Sequence, residues 1–302
     1  MIHASIRTVS CSAFIVPVFI ATLSSFAAAE ERITFSSLDA DLAGGKATTI
    51  TAWLYRPQGA GPHPAVVALH GCSGLLERSG RKRGEVMATP ADWAKRLSSV
   101  GYVVLLPDSY GPRGIAEICS IKDRAEMSRA RPYDAYGALV WLQAQPFVVP
   151  DRVALLGWSH GGGAVVRSVE AKSEARPASL RHGGFRAAVA FYPACPDPKN
   201  SKSGREWRSA APLLILIGES EDWTPVAPCR NLAEAAARRG EDVTLRVYAG
   251  AYHAFDSPNP GVRLRTGLAT APGGKAHSGQ NPTARADAIE RVPAFLHRHL
   301  RR

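Results

Sequence analysis

The sequence predicts an α/β protein built on a mainly parallel sheet of about eight strands, with helices on both faces. Three observations carry this. Five short, almost continuously apolar runs recur along the chain: AVVALHG (65–71), YVVLLPD (102–108), RVALLGW (152–158), AAVAFYP (187–193) and PLLILIG (212–218). Such runs mark strands buried on both faces. Longer segments with helical spacing separate them, and alternation of strand with helix implies parallel pairing through crossovers. Before the first run lie Ile33–Phe35 and the alternating TTITAWLY (48–55), joined across a Gly44-Gly45 turn, as expected of a half-exposed antiparallel edge.

The elements follow in order. Thr89-Pro90-Ala91-Asp92 supplies a helix start, with Thr89 as cap and Pro90 in the first turn; Trp93, Leu97 and Val100 follow. Pro132–Gln145 is a second helix, with Tyr133, Tyr136, Leu139, Val140 and Leu142 along one stripe. An apolar segment restarts at Ala164–Val166 after the strand at 152–158, where another helix begins. Asn231–Arg239 and Ala284–Leu300 are further helices, and VTLRVYA (243–249) is the last strand. Ser257–Pro282 is Gly/Pro-rich with weak periodicity and reads as a surface loop or a lid near the site. There is no internal repeat.

The chain has 302 residues and a formal charge of +11. Its basic residues are dispersed, without the basic-aromatic stripe of a nucleic-acid surface, so the charge is read as solubility and nucleic acid is excluded as a partner. Ala13–Phe26 is apolar but too short to span a bilayer, and Ala27-Ala28-Ala29 supplies small residues for cleavage. Residues 1–29 are therefore expected to be a secretory signal peptide cut after Ala29, and 30–302 a single domain, secreted or periplasmic. Cys11 precedes the apolar run, which argues against a lipid anchor, and no later segment would hold the mature chain in a membrane. Export leaves Cys72, Cys119, Cys195 and Cys229, an even number in an oxidising compartment. Cys72–Cys119 and Cys195–Cys229 are the favoured pairs, because each joins loops placed at one end of the sheet. Their spacing fits no zinc pattern. The oligomeric state is not legible.

In such sheets function gathers in loops at the carboxyl ends of the strands. One of these holds Gly157-Trp158-Ser159-His160-Gly161 between a buried strand and a helix. Glycines two positions either side of a serine relieve the crowding of a sharp strand-to-helix turn and push the hydroxyl outward at the helix N-terminus. Serine needs a base, and His253 follows the last strand. His160, turned away from the turn, is assigned to the pocket wall and to a backbone donor. An acid that holds the imidazole should lie between nucleophile and base in the chain. GESEDWTP offers Glu219, Glu221 and Asp222: residue type favours Asp222, and the count to Pro225 favours Glu221. The loop after the first buried strand should give the second oxyanion donor, the amide of Cys72. Tyr110, Trp158, Trp223, Tyr252 and Phe255 are expected to line an aromatic pocket.

These segments together, from PAVVALHGCSG through PDSYGPRG, DAYGALVWLQAQP, VALLGWSHGG, AFYP and LLILIGESEDWTP to YAGAYHAF, resemble the dienelactone hydrolase family of α/β-hydrolases. The resemblance implies the α/β-hydrolase fold and an acyl-enzyme. Ser159, His253 and Glu221 or Asp222 match the triad positions, and the amides of Cys72 and His160 match the oxyanion donors. The founding enzymes of the family use a cysteine nucleophile where this chain has Ser159, and a glutamate where it has Gly71; Glu221 stands where the family typically has aspartate. These departures, and export, point away from dienelactone itself. The expected activity is hydrolysis of a small carboxylic ester or lactone, with no metal or organic cofactor. Two alternatives are a serine peptidase of prolyl-oligopeptidase type and a non-catalytic binding protein on the same fold.

Overall fold

The structure is a computed structural model that describes residues 1–5 and 30–301. Beyond its first five residues the expected signal peptide, with its apolar run and cleavage site, lies outside the described residues. The sheet has eight strands: β1 (Glu30–Ser36), β2 (Thr49–Tyr55), β3 (His63–Leu69), β4 (Val103–Asp108), β5 (Val148–Trp158), β6 (Ala188–Phe191), β7 (Leu213–Gly218) and β8 (Val243–Tyr248). Their order is β1-β2-β4-β3-β5-β6-β7-β8. β1 and β2 pair antiparallel with each other and β2 with β4, as the alternating edge predicts. All the rest are parallel. β4, β6 and β7 are buried at every residue, which is why their sequences lack alternation.

The helices are α1 (Ala88–Ser99), α2 (Ala125–Gln143), α3 (His160–Ser168), α4 (Lys202–Glu206), α5 (Val226–Ala237) and α6 (Pro282–Leu300). Several starts differ from expectation. Thr89 lies inside the first turn of α1 and caps nothing; Met87 precedes the helix without a side-chain cap. α2 begins at Ala125, with Pro132 inside it. An interior proline forfeits one backbone bond at a cost of about 3 kcal/mol. Burial of α2 from Met127 to Leu142 against α3 and the sheet offsets that loss. α5 likewise starts five residues earlier than expected, straight after Pro225.

The 257–282 segment is not a structureless loop. It carries the antiparallel hairpin β9 (Val262–Thr266) and β10 (Lys275–Gly279). Both expected cysteine pairs are joined, Cys72 to Cys119 and Cys195 to Cys229, with S–S distances of 2.05 and 2.07 Å. No described helix is long and apolar enough to cross a membrane.

Candidate active site

The crossover from β5 to α3 sets the site. Ser159 sits at the corner with φ 55° and ψ −116°, a backbone region that a side-chain-bearing residue occupies only under constraint. The constraint is packing. A Cβ on Gly157 would come within 2.5 Å of the Gly161 carbonyl oxygen, and one on Gly161 would run into the Leu69 carbonyl. Only glycine at both positions lets α3 turn this close to β3 and β5. The Ser159 amide donates to the Phe191 carbonyl at 2.9 Å, tying the corner to β6.

His253 follows β8. Its Nε2 lies 2.9 Å from Ser159 Oγ, and its Nδ1 lies 3.0 and 3.1 Å from the two Glu221 oxygens. His253 and Glu221 are 3% and 8% exposed, so the contact is almost dry. Glu221 is itself oriented: its Oε1 accepts from the amides of Trp223 (3.1 Å) and Thr224 (3.2 Å). The imidazole is sandwiched between Tyr192 and Trp223, each ring centroid 4.5 Å away.

Asp222, the rival acid, faces elsewhere. Its carboxylate accepts from the backbone amide of His277 at 3.0 Å and contacts His277 Nδ1 at 2.8 Å. Adjacent side chains on this turn diverge, and β10 claims the second one. Asp222 therefore braces the hairpin and does not touch His253.

A cleft of about 220 Å³ opens over Ser159 and His253, walled by Met87, Trp158, Tyr192, Trp223 and Arg265 among others. Trp158 and Trp223 take the wall positions expected of them. Tyr110, Tyr252 and Phe255 do not. Tyr110 is buried, its ring edge-on to His70. Tyr252 packs on His277 at 4.9 Å, and Phe255 is buried against Tyr192 and Tyr248. Loop aromatics at this end of the sheet serve the core as readily as the pocket.

Cys72 lies on the cleft wall after β3, and His160 opens α3, where first-turn amides lack partners within the helix. The His160 ring does not wall the cleft. It points back toward α2, its Nδ1 3.2 Å from the Tyr110 hydroxyl and 3.1 Å from Arg131 Nη1, its Nε2 3.1 Å from Ser128 Oγ. Burial, then the charges of Arg131, Arg167 and Arg124, push its pKa down to about 2, so the ring is neutral.

Sequence reasoning missed Asp256. Fully buried three residues after His253, it accepts from Trp93 Nε1 (2.8 Å), Trp158 Nε1 (2.9 Å) and the Tyr192 hydroxyl (2.8 Å). It thereby fixes the cleft residues Trp158 and Tyr192, and burial raises its pKa. The sequence signal is an acidic residue directly after the apolar Ala254-Phe255. Among the described residues no group of three or more His, Cys, Asp or Glu could hold a metal ion.

The family model for the dienelactone hydrolase family matches residues 50–300. A Bacillus subtilis protein named "Putative hydrolase YtaP" is 32% identical over 112 residues, 34% of this chain and 37% of that protein; the match thus spans little more than a third of that relative. A Synechocystis protein named "Putative carboxymethylenebutenolidase" is 22% identical over 222 residues, covering 68% of this chain and 81% of that one. Among solved structures, Thermogutta terrifontis esterase 2 phosphorylated by paraoxon aligns with a TM-score of 0.60 at 19% identity, over 89% of this chain and 94% of its own. At that identity the likeness speaks for the fold.

Proposed function

The chain belongs to the dienelactone hydrolase family and is a hydrolase; from that premise we propose that it is an exported serine hydrolase cleaving a small carboxylic ester or lactone through an acyl-enzyme. The observation that carries this reading is the continuous line from Ser159 Oγ through His253 to Glu221, at 2.9 and 3.0 Å. A carboxylate on Nδ1 keeps that nitrogen protonated and leaves the Nε2 lone pair facing the serine. His253 takes the Ser159 proton as Oγ attacks the carbonyl carbon. The amides of Cys72 and His160, at the N-terminus of α3, hold the oxyanion. The imidazolium then protonates the departing alkoxide, which leaves as the alcohol, or stays tethered if the substrate is a lactone. Water, deprotonated by His253, attacks the acyl-enzyme; collapse returns the proton to Ser159 and releases the acid.

Gly71 suits this chemistry. A Cβ there would lie 3.6 Å from Ser159 Cβ, so glycine brings no side chain from this loop up to the serine. The cleft volume fits a compact acyl group between Trp158, Trp223 and Met87. Export is supported by the two disulfides, Cys72–Cys119 and Cys195–Cys229, which persist in oxidising compartments.

The test is Ser159→Ala, assayed with p-nitrophenyl acetate beside labelling by a fluorophosphonate probe. Loss of both turnover and labelling in a variant with wild-type circular dichroism is expected. Retained turnover would overturn the reading.

A further inference from the structure

We propose that Arg131 is a positioning residue for the oxyanion hole, acting through His160. The inference rests on the reading that the His160 amide holds the oxyanion.

Arg131, in α2, has no solvent exposure. Among the described residues no carboxylate pairs with it. Asp134, three residues on, has its oxygens taken by Arg113 and Ser37 and reaches Arg131 only as a longer-range charge. Among the described residues Arg131 Nε and Nη2 have no hydrogen-bond partner. A buried guanidinium in that condition costs several kcal/mol, and a well-packed apolar residue in its place is often neutral or stabilising. Stability therefore gives no reason for it.

Its contacts do. Nη1 points at His160 Nδ1, and the guanidinium lies over the Tyr110 ring, its centre 5.4 Å from the centroid. A guanidinium only donates, so Nδ1 must be the acceptor and the His160 proton must sit on Nε2, which faces Ser128 Oγ. This cation, beside the Tyr110 hydroxyl 3.2 Å from the same nitrogen, thus favours one tautomer of His160 and opposes its protonation. Both ring nitrogens of the residue after the nucleophile are then held by α2, and the first turn of α3 is locked against it. The same contact puts a whole positive charge within one side chain of the amide that meets the oxyanion. In a low-dielectric surrounding such a charge favours the tetrahedral species over the neutral ester. Both effects belong to the transition state, so they should appear in kcat and leave KM alone.

The experiment compares Arg131→Met, Arg131→Lys, His160→Ala and the Arg131→Met/His160→Ala double variant with wild type and Ser159→Ala, on p-nitrophenyl acetate, with thermal melts to establish folding. Arg131→Met should lower kcat about 30- to 100-fold, the loss expected when a reacting group is misplaced by under 1 Å, with KM within threefold. Arg131→Lys should recover part of that loss. The double variant should fall no more than threefold below the worse single variant, because both substitutions break one device. A folded Arg131→Met with kcat within threefold of wild type overturns the proposal, as do losses that multiply in the double variant. Should Arg131→Met not fold, Arg131→Lys and its combination with His160→Ala are judged by the same non-additivity. Inactive Ser159→Ala beside a fully active Arg131→Met overturns this inference alone, whereas active Ser159→Ala removes the serine reading beneath it.

Discussion

Replacing Glu221 by Gln tests the proposed acid with almost no change in shape. Glu221 Oε1 accepts from three directions: the amides of Trp223 and Thr224, and His253 Nδ1. In the variant the amide oxygen must occupy that place, since the opposite flip would aim an NH2 group at two backbone N–H donors. The NH2 group then takes the Oε2 position, 3.1 Å from His253 Nδ1. The NH2 group there competes with the amide oxygen for Nδ1 and favours the tautomer in which Nδ1 accepts and Nε2 carries the proton, leaving Ser159 facing N–H where it needs a lone pair; the negative charge that stabilises the imidazolium is lost in either tautomer. The wrong tautomer should lower kcat about 10³- to 10⁴-fold, roughly 4–5.5 kcal/mol of barrier. Asp222→Asn should behave otherwise. Its carbonyl oxygen can still accept from the His277 amide, and the contact with the His277 ring is partly exposed and worth at most about 1 kcal/mol, so kcat should stay within threefold. Steady-state hydrolysis of p-nitrophenyl acetate by both variants decides the matter. A Glu221→Gln enzyme retaining more than a tenth of wild-type kcat, or an Asp222→Asn enzyme as impaired as it, refutes the reasoning.

Three further outcomes are expected. Asp256→Ala leaves the Trp93, Trp158 and Tyr192 donors without their acceptor and should cost about 3–5 kcal/mol in urea denaturation. Because burial raises the folded-state pKa of Asp256, its contribution to stability is largest below the unfolded value near 3.8 and declines as pH rises through the folded value; Asp256→Asn, compared by melts at stepped pH, should remove that decline. Gly161→Ala drives a Cβ into the Leu69 carbonyl and should yield insoluble or inactive protein, where Gly163→Ala, whose nearest contact is the Arg167 side chain at 3.3 Å, should express. Reducing either disulfide, which close sequence separations of 47 and 34 residues, should cost about 4 kcal/mol in the chain-entropy picture; Cys195→Ala/Cys229→Ala should lower only the melting temperature, whereas Cys72→Ala/Cys119→Ala should also lower kcat.

The sheet was legible because strands buried on both faces leave unbroken apolar runs that few other structures require. The meeting of Ser159 with His253 could be expected because chain order and loop position allow few arrangements of a serine at such a corner and a histidine after the last strand. What escaped the sequence depends on partners distant along the chain. Pro132 reads as a helix start until the burial of Met127, Ala130 and Arg131 pulls the preceding residues into α2. Tyr110 and Tyr252 occupy the right loops, but each ring packs on a histidine distant along the chain, Tyr110 on buried His70 and Tyr252 on half-buried His277. In the β9–β10 hairpin, β9 is mostly exposed and β10 is half-buried with Ala276 alone fully covered, so neither strand shows a clear alternating pattern. Its own sequence therefore gave no sign of it.

That unread hairpin is also what separates the two acids. Glu221 and Asp222 have equal claims until His277 of β10 takes the second carboxylate. The hairpin reaches the other loops as well. The amide of Gly279 donates to the His253 carbonyl at 2.8 Å, and that of Ala269 to the Cys119 carbonyl at 3.0 Å. Thr270 Oγ1 accepts from the Trp223 indole. One segment thus holds the loops that carry His253 and Glu221 and the disulfide-linked loop that carries Cys72. These bonds run largely to backbone, which makes the excursion a brace on the site and not a lid free to lift from it. Site order here comes from the end of the chain acting on corners laid down by its middle, and a reading of local patterns recovers the corners before it recovers the brace.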